Sequence, residues 1–268
     1  MQKFNFIFIV LCYINTEDLK EFLKSVRFVK GTYKIIVVNS YYNNITMNEF
    51  EKIALENKCD FINVPNKGYG YGNNQGIKFA NEHYAYDFLV IANPDIEFIN
   101  FDFSLLDGCQ NMLIGPQIKT KNGKHQNPYK PVKMWLIDGM EYYGIKYNFY
   151  PFWFIGAAFN KLLRELIIRI AAVFGKMKVD SLHGSCMLIG SAAMKKLSNE
   201  ELYDVNMFLF SEEDEVAYKA KFNKVPLLYV PKLNILHKED GSTSLIENKV
   251  SGYTKASYIY CYKKWNRW

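Results

Sequence analysis

From Phe4 to Asp95, short apolar runs alternate with amphipathic stretches, and this alternation constrains the fold more than any other feature. Residues 4–11, 33–38, 59–64 and 88–92 read as strands, because each run is brief and rich in β-branched and aromatic side chains. Residues 17–28 and 48–57 carry helical spacing, with Thr16 as N-cap of the first. Residues 68–76 read as a glycine-rich loop that passes into a helix over 76–83. Such alternation predicts an α/β fold with a mostly parallel, mixed central sheet flanked by helices. Ligands of such sheets sit at the carboxyl ends of the strands.

Residues 115–156 read as loops and short strands. A strand over 185–189, helices over 191–197 and from Ser211, a strand over 227–230 and an aromatic, basic helix over 253–268 follow. With 268 residues, 49% of them hydrophobic, and no linker or repeat, the chain reads as a single domain with a sizeable core. Lys3 and the apolar run after it resemble a signal segment. Tyr13, Ile14 and Asn15 offer no small-residue cleavage site, so the run reads as a strand.

The apolar stretch 151–174 is interrupted by Lys161, Arg164, Glu165 and Arg169, which argues against a bilayer span. Leu162, Leu166, Ile170 and Phe174 recur at helical spacing. They suit a core-facing helix, or one lying on a membrane surface or lining a groove. Trp153 and Phe154, and Trp265 and Trp268 in a tail with Lys263, Lys264 and Arg267, keep peripheral membrane contact open. The net charge of +6 is spread out, unlike the basic stripe of a nucleic-acid binder, and suits an anionic ligand or an anionic membrane. The 5 cysteines form no Cys-x-x-Cys pair, so no disulfide framework or zinc site is expected, and a cytoplasmic setting fits.

Asn93-Pro94-Asp95 ends the strand 88–92, where proline blocks further ladder bonds and a carboxylate can hold a divalent metal on a diphosphate. A plain turn with a solvated Asp95 is the competing account. Lys67, Gly68, Gly70, Asn73 and Asn74 belong to the glycine-rich stretch, where the backbone can approach a ligand, Lys67 can meet phosphate, and the asparagines can bond a sugar or cap a helix. The stretch lacks Walker and dinucleotide spacing, and a surface loop is the bland alternative. Within Glu212-Glu213-Asp214-Glu215 a carboxylate can take a proton, although acids also simply favour a helix N-terminus. His237 suits a metal held by few carboxylates, against the ordinary reading of a structural histidine.

In order, the segments 35–40, 63–76, 89–95, 184–189 and 208–214 resemble the family 2 glycosyltransferases, closest to the rhamnosyltransferase-like and capsule or O-antigen branch. The similarity runs from Phe6 to about His237. It implies a GT-A fold with a nucleotide-sugar-binding half over 1–100, an acceptor-binding half over 101–245 and a C-terminal helix over 246–268. It also implies inverting transfer from a UDP- or dTDP-sugar to a glycan or lipid-linked glycan acceptor, with Mg²⁺ or Mn²⁺ on the diphosphate, at the inner face of the cell membrane. By position, Asp95 and His237 are the metal ligands, Asn93 a polar neighbour, Tyr13 and Asn39 the base contacts, and Gly68 to Asn74 the donor border. Asn39 stands where relatives often carry Asp, which leaves the nucleotide preference open. Alignment without a gap makes Glu213 the general base; alignment on the Glu-Asp pair makes it Asp214, the reading favoured at this level. The reduced acidic set motivates an alternative, a non-catalytic sugar-nucleotide or glycan-binding partner in a membrane-associated assembly.

Overall fold

The computed structural model describes residues 1–197, 201–239 and 247–265; Arg267 and Trp268 of the expected basic tail lie outside the described residues. In chain order the elements are β1 (Gln2–Cys12), α1 (Thr16–Ser25), β2 (Val29–Lys30), β3 (Tyr33–Ser40), α2 (Asn44–Glu56), β4 (Asp60–Val64), α3 (Tyr69–His83), β5 (Tyr84–Ala92) and β6 (Ile96–Asp102). They continue as β7 (Leu113–Thr120), α4 (Trp135–Lys146), α5 (Tyr150–Phe174), β8 (Met177–Val179), β9 (Cys186–Gly190), α6 (Ser191–Leu197), α7 (Glu212–Phe222), β10 (Leu227–His237) and α8 (Glu247–Trp265). All the strands join one sheet in the order β2-β6-β10-β7-β9-β5-β1-β3-β4, with β8 beside β10.

β1 is the hub, parallel to both β3 and β5, in a register that sets Cys12 beside Asn39 and Val10 beside Ala92. Its residues alternate between two cores: Phe6, Phe8 and Val10 pack on one face, Ile7 and Ile9 on the other. Burial on both faces is why the run is apolar throughout rather than alternating. β9 enters antiparallel to β5, so Cys186 opposes Ala92 and the segment before β9 arrives at the carboxyl ends of the parallel strands. β10 is longer than its apolar run 227–230 suggests. A register shift between Val230 and Asn234 carries the strand past Pro231, and His237 ends beside Ile96 and Thr120.

Two expectations change. The glycine-rich stretch is a helix from Tyr69, not a loop. Its glycines let α3 lie close to the sheet: a Cβ on Gly72 would stand 2.4 Å from Leu11 Cδ1, and one on Gly76 2.4 Å from Ile9 Cγ2. The span 115–156 holds α4 and the start of α5 rather than loops and short strands. These two helices touch through glycines as well, since a Cβ on Gly156 would meet Glu141 Cγ at 2.5 Å. α8 packs on α4, with the Tyr142 and Tyr262 rings stacked 4.0 Å apart. Smaller shifts fall at helix starts: Asn15, not Thr16, caps α1 by accepting from the Glu17 N–H, and Asn43 caps α2 by accepting from Thr46.

Substitution of Gly76 by Ala tests the close packing. Helix propensity favours Ala by about 1 kcal/mol, but overpacking against the branched Ile9 and Val38 costs about 1–3 kcal/mol, so a net loss of up to about 2 kcal/mol in denaturant unfolding is expected.

Candidate active site

The site assembles where strand ends meet. Asp95, just past β5, is 5% exposed, and its Oδ1 accepts no hydrogen bond while lying 3.3 Å from His237 Nε2. The backbones of the two segments are pinned together by the Lys238 N–H donating to the Asp95 carbonyl at 3.0 Å. Lys238 itself turns inward and is buried in an ion triad with Asp18 and Glu21 of α1. Asn93 donates its N–H to the Ser185 carbonyl, and its Oδ1 accepts from the Tyr69 hydroxyl at 3.3 Å. Tyr69 also reaches the Gly184 carbonyl at 3.0 Å.

Residues 183–185 tie these groups to the acidic helix. The Gly184 N–H donates to Glu213 Oε1 at 3.1 Å, and a Cβ on Gly184 would stand 2.9 Å from that oxygen and push the Glu213 carboxylate aside. The His183 ring meets His237 edge to face at 5.8 Å. Its Nδ1 accepts from the Ser185 N–H, which places the proton on Nε2. Burial, with His237 adding to it, pushes the His183 pKa down to about 3, so the ring is neutral.

The four acids of α7 have four different environments. Glu212 is 4% exposed with an unpartnered Oε1, and burial, reinforced by Glu213, raises its pKa to about 8. Asp214 is ion-paired with Lys130 at 3.1 Å, a lysine that Asp138 shares at 3.2 Å. Glu215 is fully buried and accepts from Lys264 at 2.8 Å and from the Trp265 indole. Glu213 has no cationic side chain bound to it among the described residues and, unlike the other three acids, keeps partial exposure. Burial raises its pKa, with Asp214 adding to the shift against the opposing backbone N–H groups. The helix that presents these acids follows two left-handed non-glycine residues, Phe210 and Ser211. The preceding turn touches Gly68, whose φ of +104° and contact with the Phe208 carbonyl admit no side chain.

At the other end lie Tyr13 and Asn39. Tyr13 contacts Tyr42 edge to face at 5.7 Å, and Asn66 sits beside its hydroxyl. Asn39 is 1% exposed and donates its amide to Asn63 Oδ1 at 2.7 Å, which turns its own Oδ1 away from that partner. The other expected donor residues lie in α3 and the segment before it. Asn74 uses both ends of its amide on the Tyr203 backbone, at 2.8 and 3.0 Å. Asn73 is buried and donates to the Tyr69 carbonyl, and Gly70 packs under Tyr203. Lys67 is exposed over the Tyr71 ring. Trp265 stacks on Tyr218, and its indole N–H reaches Glu215.

An orphaned carboxylate oxygen facing an imidazole nitrogen fits a divalent cation. Among the described residues no group of three His, Cys, Asp or Glu side chains gathers to hold a metal, so Asp95 and His237 would supply two ligands and leave the rest to diphosphate and water. Sequence reasoning missed Gln126, Asn127 and His183, and placed Tyr69 on the donor border without its hydroxyl's link to Gly184, 115 residues away.

No protein-family model matches the chain. It is 20% identical over 254 residues to the low-salt glycan biosynthesis hexosyltransferase Agl10 of Haloferax volcanii, a match covering 91% of this chain and 71% of that protein. Among solved structures it resembles GalNAc-T7 with UDP, GalNAc and Mn²⁺, with a TM-score of 0.63 and 13% identity over 97% of this chain and 48% of that one. It also resembles TarS of S. aureus, with a TM-score of 0.56 and 13% identity over 87% of this chain and 36% of that one. The chain thus spans about half the length, or less, of these solved structures. The structural likenesses bear out the expected fold, that of the GT-A glycosyltransferases, and together with the hexosyltransferase relative they bear out the expected enzyme class, a glycosyltransferase.

Proposed function

We propose that this glycosyltransferase moves a sugar from a UDP- or dTDP-sugar to a glycan or lipid-linked glycan acceptor, with inversion and with a divalent metal on the donor diphosphate. The observation that carries the reading is the facing pair Asp95 Oδ1 and His237 Nε2, joined through His183–Ser185 to Glu213. Tyr13 offers a ring for the base. The free Asn39 Oδ1 can accept the imide N–H of uracil or thymine, a contact that an Asn held by Asn63 makes as well as an Asp. Asp95 and His237 would hold the metal, and a nitrogen ligand beside a carboxylate would favour Mn²⁺ over Mg²⁺. When bound, the metal offsets charge on the departing diphosphate.

The proton chemistry belongs to Glu213. Asp214 is neutralised by Lys130, Glu215 by Lys264, and Glu212 stays protonated near neutral pH. Glu213 has no such partner, and its raised pKa brings its basicity nearer to the working pH. It takes the acceptor hydroxyl proton as that oxygen attacks the anomeric carbon. The bond to the diphosphate oxygen breaks on the opposite face, and the nucleoside diphosphate leaves. This choice reverses the sequence preference for Asp214.

Glu213→Gln is expected to lower transfer at least about 100-fold while nucleotide binding, read by thermal shift, persists. The rate of the wild-type chain should fall as pH drops through a pKa above the ordinary glutamate value, because the base must be ionised. Asp214→Asn should instead cost about 1–3 kcal/mol of stability, less than a fully broken buried pair because Asp138 still faces Lys130. Full activity in Glu213→Gln would refute the assignment. A wild-type chain that binds UDP-sugar yet neither transfers nor hydrolyses it would instead favour the non-catalytic binding partner.

We propose further that α4 and α5 rest on an anionic membrane surface. Among the described residues no helix is long and apolar enough to cross a membrane. Trp135, Phe154, Leu162, Leu166 and Val173 are nevertheless exposed, and Lys161 and Arg169 lie among those of α5. Aromatic and aliphatic rows with flanking cations match a lipid interface, and the cations choose anionic lipid. The chain should float with anionic liposomes and less so as Leu162→Glu/Leu166→Glu; a protein that stays wholly soluble overturns this.

A further inference from the structure

His237 is held by a relay that no sequence motif announces, and the relay fixes which ring nitrogen faces Asp95. Gln126 Nε2 donates to Glu239 Oε1 at 2.8 Å. An ionised carboxylate only accepts, so the glutamine amide cannot be turned round without losing that bond. Gln126 Oε1 therefore faces His237 Nδ1 at 2.7 Å, and Nδ1 must carry the proton that fills this contact. In the neutral form of the ring the lone pair then falls on Nε2, 3.3 Å from the orphaned Asp95 oxygen. Two lone pairs brought together in a buried site repel each other unless a cation lies between them.

The supports of this relay are themselves built in. Glu239 takes a left-handed φ of +59°, uncommon outside glycine, and this turns its side chain back onto Gln126. The neighbouring Asn127 is fully buried, and its Oδ1 accepts from the His183 N–H at 2.8 Å, so one dipeptide serves both histidines. Arg164 of α5 anchors the segment by donating to the carbonyls of His125, Pro128 and Tyr129 at 2.9, 2.8 and 3.1 Å.

We infer that Gln126, braced by Glu239, is a positioning residue that sets the His237 tautomer so that Nε2 and Asp95 form the divalent-cation site. The inference rests on the metal proposed above and adds residues outside the ligand pair. Partners that orient a metal-binding imidazole in this way are typically worth about 10–100-fold in metal affinity.

Long-range nitrogen–proton correlation spectra of the isotope-labelled, metal-free chain report the tautomer directly, with His237→Gln used for assignment. At a pH high enough for a neutral ring, the expected signal is protonation on Nδ1 only. Mn²⁺ affinity, measured by titration calorimetry with and without UDP, should fall about 10–100-fold in Gln126→Leu. Gln126→Glu keeps an acceptor for Nδ1–H and should bind Mn²⁺ more tightly than Gln126→Leu. Glu239→Ala, at an exposed position that leaves the core intact, should show an intermediate loss. A wild-type ring protonated on Nε2 overturns the inference, as does equal Mn²⁺ affinity in wild type and Gln126→Leu while Asp95→Ala abolishes binding; in both cases the metal reading survives. Mn²⁺ that fails to bind the wild-type chain with or without UDP overturns both.

Discussion

Parallel strands cannot be joined by a tight turn, and almost everything about this site follows from that restriction. Each crossover must travel back along the sheet, so the segments that leave β1, β3, β4 and β5 all emerge at one edge. Tyr13, Asn39, Asn66 and Asp95 are brought together by topology before any of them makes a contact. The antiparallel β9 and the long β10 then deliver their own ends to the same edge: Cys186 pairs with Ala92, and His237 with Ile96. A cleft lined from several strand ends is the natural product of this sheet, and the proposed function assigns its parts to base, diphosphate and acceptor.

Within the cleft, burial divides labour among groups of the same chemistry. Four consecutive acids on one helix would be interchangeable in water. Here α8 brings Lys264 and Trp265 to Glu215, Lys130 takes Asp214, and the core keeps Glu212 protonated. Glu213 is set apart by what the others have acquired. The same logic separates the histidines. His183 accepts from a backbone N–H and is kept neutral by burial, while His237 is turned toward a carboxylate by an amide whose own orientation is fixed.

The sheet was legible because doubly buried strands must be apolar throughout, and 4–11, 33–38 and 88–92 are. Asp95 stood out because a polar turn ends the apolar run 88–92, whereas Lys232 and Asn234 interrupt the segment before His237, which was singled out by its place in the family order. The glycine-rich stretch was misleading because glycine serves loops and close packing alike, and only the side chains of Leu11, Ile9 and Tyr203 reveal which need applies. Asn74 looked like a ligand contact, but its amide is consumed by a backbone 129 residues away. α4 was missed because much of its apolar surface faces outward, as at Trp135, Leu136 and Tyr143, so no buried stripe marks it. Gln126 leaves no trace in the sequence at all, since its meaning depends on Glu239 and His237 at once.

Backbone strain supports the location of the site independently of side-chain chemistry. The left-handed non-glycine residues fall into two groups. Lys58, Asn148 and Lys224 follow the C-caps of α2, α4 and α7, where this conformation ordinarily closes a helix. Ile14, Phe210, Ser211 and Glu239 close no helix. Ile14 is the costliest, a β-branched residue at φ +61° inside a turn closed by the Asn15 N–H donating to the Tyr13 carbonyl at 2.7 Å. Each such residue costs on the order of 1–3 kcal/mol and persists only where its surroundings over-determine it. Ile14 adjoins Tyr13, Phe210 and Ser211 lead into Glu213, and Glu239 holds Gln126 to His237. The strain is concentrated beside Tyr13, Glu213 and His237, the three places where the proposed site must hold a side chain against the preference of its own backbone.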